Sequence, residues 1–153
     1  MRVRVVVAVL LAASTLVWMP VSPVGAWSSD DGAVAVFGGD WDDDGSSVAV
    51  DSSGNVYVAG TFWGRSDLPP ADFNPGAGTA NLLSNGADDA FVSKLDSSGN
   101  YLWAKHFGGT GDDSGSSVAV DSSGNVHLTG TFRNTVDFNP DEDETAELTS
   151  SNS

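Results

Sequence analysis

Short runs of alternating apolar and polar residues recur along this chain, separated by polar turns, and no stretch after the first thirty residues repeats its apolar positions at helical spacing. Val48-Ala49-Val50-Asp51 and Val56-Tyr57-Val58-Ala59-Gly60-Thr61-Phe62 are β-rich runs divided by Ser52-Ser53-Gly54-Asn55, which predicts a hairpin. Gly54 can take positive φ without a Cβ penalty, and the Asp51 carboxylate can accept backbone N–H bonds inside the turn. The same turn recurs from Asp96 to Asn100, between Ala90–Leu95 and Tyr101–Phe107, and again from Asp121 to Asn125. Each unit therefore holds two hairpins, or four strands. The residues from Gly64 to Asp89 are rich in Gly, Pro, Asn and Asp and read as a long surface loop.

The pattern is a repeat. Phe37-Gly38-Gly39 through Trp63 returns as Phe107-Gly108-Gly109 through Arg133, with 20 of 27 positions identical and residues 45–56 letter for letter those of 115–126. Both copies then reach Asp-Phe-Asn-Pro, at Asp72 to Pro75 and Asp137 to Pro140, the first after a five-residue insertion. A period this long marks stacked supersecondary units, and four short antiparallel strands per unit point to an all-β fold of β-propeller blades. Residues 33–37 read as the last strand of a preceding blade, with an acidic connector completing 27–44. One complete blade is expected over 45–109, including the loop at 64–89. The first half of the next, with an acidic tail, falls at 110–153. A closed propeller needs about four to eight blades. The expected architecture is thus an incomplete propeller, read as a truncated product, whose open sheet edges predict self-association.

The amino-terminal segment adds an address. Arg2 and Arg4 precede an uncharged run from Val5 to Val17, then Trp18, Pro20, Pro23 and Val24-Gly25-Ala26, the order of a secretory signal peptide over 1–26. The run is too short to span a bilayer, which takes roughly 20 residues. The expected destination is the cell exterior, the cell surface or a periplasm, with no membrane span after cleavage. Charge narrows the partners: 21 acids against 6 bases give a net charge of −15, with Arg65, Lys94, Lys105 and Arg133 scattered singly, which excludes a phosphate-tracking groove and so nucleic acid. With no Cys among 153 residues there is no disulfide framework and no thiolate site, so packing must hold the fold.

Candidate chemistry is sparse. Asp40-Trp41-Asp42-Asp43-Asp44-Gly45 places Asp40, Asp42 and Asp44 at the first, third and fifth positions of a D-x-D-x-D-G loop, with Asp51 at the twelfth, a spacing that suits calcium. The second copy loses two of those acids at Thr110 and Ser114, and Asp51 is wanted by its own turn, so an acidic solvated connector is the competing reading and no cofactor is required. Asp88-Asp89 reads as a solvated pair too. His106 and His127 lie in different strands without a motif, and the first-copy counterpart of His127 is Tyr57, a position that takes a large amphipathic ring. No G-x-S-x-G elbow exposes a serine. Phe62, Phe91, Trp103, Phe107 and Phe132 are core candidates. Trp41 and Trp63 read as packing residues whose freer positions could also serve recognition. Phe73 and Phe138 should tuck down as anchors where Asp-Phe-Asn-Pro ends a strand.

The stretch G-G-x-G-D-D-x-G-x-S-V-A-V-D-S-S-G-N-V-x-x-x-G at 108–130 resembles the bacterial seven-bladed beta-propeller repeat (SBBP) family, and the run from Asp89 to Gly109 is similar to exported members of it. The resemblance covers almost everything after about Ala33. It implies a secreted repeat protein without shared catalytic residues: a non-enzymatic binding or scaffold surface for an extracellular protein or polysaccharide. The alternatives are part of an extracellular carbohydrate-active hydrolase or lyase, and a calcium-binding adhesion propeller resembling FG-GAP repeats, suggested by Phe37-Gly38-Gly39 and the acidic loop.

Overall fold

A computed structural model describes residues 6–8, 34–36, 38–64, 69–139 and 145–151. The described residues contain no helix; the strands are β1 (Val6–Ala8), β2 (Val34–Val36), β3 (Asp43–Val50), β4 (Val56–Trp63), β5 (Ala71–Asp72), β6 (Asn81–Leu82), β7 (Asp88–Leu95), β8 (Tyr101–Phe107), β9 (Ser114–Val120), β10 (Val126–Thr131), β11 (Thr135–Asp137) and β12 (Glu147–Thr149). Among the described residues no helix is long and apolar enough to cross a membrane. The expected signal peptide lies outside the described residues except for β1, which pairs antiparallel with β2.

Four strands between Asp43 and Phe107 form one antiparallel blade in the order β3-β4-β7-β8. Its first strand begins at Asp43, so Asp43 and Asp44 belong to the strand and not to the connector expected before it. A bulge between Gly45 and Ser47 makes that extension possible by absorbing an extra residue opposite Gly60 and Ala59. The three Asp-Ser-Ser-Gly-Asn segments close their hairpins alike, with Gly54, Gly99 and Gly124 at φ of 81°, 84° and 85°. At that φ a Cβ is strained, which is why the turn takes glycine there.

Strand alternation divides the blade's side chains between two faces. Val56, Val58, Phe62, Phe91, Leu95 and Ala104 line one face, and it is covered by Ala71 and Phe73 with Ala80 and Leu82. The covering residues come from the segment 64–89, so the bare surface loop expected there is corrected. It contains the two-stranded β5–β6 sheet, and Phe73, 1% exposed, docks its ring edge-on against Phe62 at 5.4 Å and against Phe91 at 4.9 Å. One buried aromatic of this size stabilises by roughly 2–3 kcal/mol, enough to order a short Gly-rich segment that carries little else. Ser84 helps by donating its hydroxyl to the Gly64 carbonyl. Tyr57, Ala59 and Val92 line the opposite face with Trp103 and Phe107, and there they meet Val118, Val126 and Leu128 of the second copy. The β9–β10 hairpin thus stacks on the first blade, and Val118 N–H donates to Ser47 Oγ at 3.2 Å across the junction. Repeat units stacked face to face in this way share one continuous core.

Candidate functional site

Each strand hairpin is entered through a carboxylate that ties its own approach loop. Asp43 Oδ2 accepts from Gly39 N–H at 2.6 Å, Asp89 Oδ2 from Asn85 N–H at 3.0 Å, and Asp113 Oδ2 from Gly109 N–H at 2.7 Å, always four residues back. All three are buried. The solvated reading of Asp88-Asp89 is therefore corrected for Asp89, which is 0% exposed and clips the loop before β7. Sequence inspection missed this use because an Asp-Asp pair presents one carboxylate to solvent and one to the interior, and only strand alternation tells which. The signal was present in the shared position of Asp43 and Asp113 after Gly-Gly.

The three clips are not equivalent. Asp113 also accepts from Arg133 N–H at 2.7 Å through Oδ1, whereas Asp89 Oδ1 accepts no hydrogen bond. Burial, reinforced by the charges of Asp113 and Asp88, pushes the Asp89 carboxyl up to about 7. His106 Nε2 lies 3.7 Å away, and burial pulls its pKa down, so the imidazole gives this carboxyl little cationic support near neutrality. Asp89 is enclosed, while the partly exposed His106 is stacked edge-on to Phe62 at 5.9 Å.

Three further acids hold turns. Asp51 Oδ1 accepts from Ser53 and Asn55 N–H and its Oδ2 from Asn55 Nδ2 and the Tyr57 hydroxyl; Asp96 and Asp121 repeat the backbone and Asn bonds. The Asn side chain, ahead of the backbone donors, holds all three carboxyls below the usual carboxylate range. His127 stands beside Asp121 at 3.8 Å as Tyr57 stands beside Asp51, the substitution of one amphipathic ring by another. Asp40, Asp42 and Asp44 are exposed, and among the described residues no group of three or more His, Cys, Asp or Glu is arranged to hold a metal ion. Trp41 and Trp63 pack edge-to-face on each other at 4.8 Å, and in the second copy Arg133 and Asp112 take that corner as an ion pair at 2.8 Å.

The second copy also carries a cavity of about 400 Å³, bordered by Leu128, Gly130, Phe132, Val136 and Phe138 of its own and by Ala90 and Phe107 of the first blade. Phe132 and Phe138 meet edge-to-face at 5.1 Å over it.

Residues 37–65 and 102–131 both match the family model of the beta-propeller repeat. The chain carries two copies of the beta-propeller repeat. Each matched segment contains one Asp clip, at Asp43 or Asp113, and one Asp-Ser-Ser-Gly-Asn turn, the two devices that fix the hairpin of a beta-propeller repeat here. Among curated proteins, an uncharacterized WD repeat-containing protein of Acanthamoeba polyphaga mimivirus is 34% identical over 99 residues, covering 58% of this chain and 7% of that protein. The chain thus spans a small fraction of the length of that relative. No solved structure matches.

Proposed function

We propose that this beta-propeller repeat protein is an exported, non-enzymatic module that presents a scaffold or binding surface to an extracellular protein or polysaccharide and requires no cofactor. The observation that carries the reading is the employment of its carboxylates: Asp43, Asp89 and Asp113 clip approach loops and Asp51, Asp96 and Asp121 hold turns. Acid–base catalysis needs a carboxyl within reach of a substrate, and among the described residues the carboxyl raised to about 7, Asp89, is wholly enclosed. The amino-terminal Arg-apolar-small order supplies the case for export.

Expression of the full chain in a bacterial host tests the reading. Recovery outside the cytoplasm of a product beginning at Trp27 is expected, and a full-length product retained in the cytoplasm would contradict export. Incubated with soluble polysaccharides, that product should release neither reducing ends nor unsaturated uronates. Release of either would restore the hydrolase or lyase alternative. A rise of several degrees in Tm on adding Ca²⁺ would restore the adhesion-propeller alternative through Asp40, Asp42 and Asp44.

A further inference from the structure

The connector before β3 and the one before β9 share a backbone plan and carry different side chains. Gly38 bridges to Asp72 and Gly109 to Val136, while Asp43 and Asp113 clip the N–H four residues back. Each tip, at 40–42 and 110–112, is thus tied across its base before any ligand arrives. Trp41 stands where the second copy has Gly111 and Trp63 where it has Arg133, while Asp42 is kept as Asp112. The two positions touch in both copies: the Trp41 and Trp63 rings meet at 4.8 Å, and a Cβ on Gly111 would come 2.8 Å from Arg133 Cβ. In the second copy Arg133 Nη1 donates to Asp112 Oδ2 at 2.8 Å, so the chain's own guanidinium satisfies the corner. In the first copy the carboxylate remains and an indole replaces the guanidinium. Among the described residues Asp42 forms no ion pair. Its surroundings are of like sign, since burial and then the charges of Asp112 and Asp42 raise the Asp88 carboxyl. Trp41 is 45% exposed, and neither Trp belongs to the two core clusters through which the blade is covered and the second copy stacks.

We propose that Trp41, Trp63 and Asp42 form a seat for an arginine side chain presented by a partner protein. The guanidinium takes the role that Arg133 has in the second copy, stacking on an indole while its fork meets the Asp42 carboxylate. Indole is the strongest aromatic acceptor for a cation, and a planar, weakly hydrated guanidinium suits both surfaces better than an ammonium does. The exposed Asp40 and Asp44, within a net charge of −15, attract a basic segment and repel an acidic one. A sugar ring also stacks on indoles. Arginine is chosen because the matched corner already holds a guanidinium on the matched carboxylate. The inference rests on the binding-surface reading and narrows it to a protein partner; it is independent of export.

Titration of the full chain with the tripeptide glycyl-arginyl-glycine, followed by the indole N–H resonances of Trp41 and Trp63, provides the test. Saturable shifts of both are expected in the millimolar range, weakening as salt is raised. The citrulline tripeptide, which keeps the shape and loses the charge, should leave them unmoved, and the lysine tripeptide should bind at least about threefold more weakly. Trp63→Arg, which gives the first copy the internal guanidinium of the second, should weaken binding at least about tenfold. Asp42→Asn, at an exposed position that spares the fold, should weaken it up to about fivefold. No response to the arginine peptide, or an equal response to the citrulline one, overturns the proposal. Arg65 lies outside the described residues; silence in the parent chain with a response in Arg65→Ala would make Arg65 the occupant and overturn the partner. Shifts of the same indoles by cellotetraose alone would overturn the arginine seat and leave the binding-surface reading standing, whereas failure of that reading shows separately as polysaccharide cleavage.

Discussion

Residues 45–56 and 115–126 have one sequence and two environments, and the contrast separates what a repeat encodes from what its neighbours supply. Val48 is 54% exposed while its counterpart Val118 is 6% exposed, because Val118 rests on Tyr57, Ala59 and Val92 of the first blade. In the following strand the order reverses. β4 is buried along nearly its whole length between β3 and β7, whereas its counterpart β10, which pairs with β9 alone among the described residues, is mostly exposed. Local geometry is unaffected, since register, bulge and turn are the same in both. Hydrogen bonding within a hairpin is therefore written into the repeat, and its hydrophobic stabilisation is a property of the stack.

Substitution at matched positions should break that contrast most visibly where burial differs most. Phe62→Ala removes a ring that is 0% exposed and contacts Phe73 and Phe91, and it should cost about 3–5 kcal/mol. Phe132→Ala, at the same repeat position with one ring neighbour and a cavity beside it, should cost about 1 kcal/mol. Urea unfolding of the two variants compares them directly, and equal losses would mean that the second copy is as fully packed as the first.

The clip at Asp89 gives the next effect. Its folded pKa is raised to about 7 from 3.8, so the native state holds a proton that the unfolded chain releases. That contribution is complete below about pH 4 and is lost as pH rises towards 7, by a few kcal/mol. His106 opposes it, because a lowered folded pKa loses stability as pH falls through its ordinary 6.5. Asp89→Asn should flatten the fall in Tm between pH 4.5 and 7.5, and an unchanged slope would show that another group sets it.

Smaller effects follow at the junction and the rim. Val118→Ala should cost roughly 1–2 kcal/mol and Val48→Ala less than about 0.5 kcal/mol, by the same unfolding measurement. At the corner held by Trp41 and Trp63 in the first copy, Arg133→Ala removes only an exposed ion pair and should shift stability by no more than about 0.5 kcal/mol. A loss above 1 kcal/mol would mean that the Arg133 stem packs as Trp63 does.

How much of this was legible depended on how local the cause was. The hairpins, the four-strand blade and the β-propeller class followed from alternation and from Asp51, Gly54 and Asn55 acting within a few residues of one another. The β5–β6 sheet did not, because a segment of Gly, Pro, Asn and Asp is ordered by long-range contacts, Phe73 on Phe62 and Phe91 and the bridge between Gly38 and Asp72, although the tucking of Phe73 itself was foreseen. Phe62 and Phe91 are buried as expected, while Trp103, Phe107 and Phe132 are only partly so, since their burial depends on the next sheet surface. Asp89 was misread as solvated because no residue near it in sequence announces the enclosure produced by β4, β8 and the second repeat.

Amide hydrogen exchange of β4 against β10 in the full chain tests the central claim most directly. Uniformly slow exchange is predicted across Val56–Trp63, which is hydrogen-bonded on both sides. Alternating slow and fast amides are predicted across Val126–Thr131, which among the described residues is bonded to β9 alone. Uniformly slow exchange in both strands would contradict the account, because it would mean that β10 has no free edge.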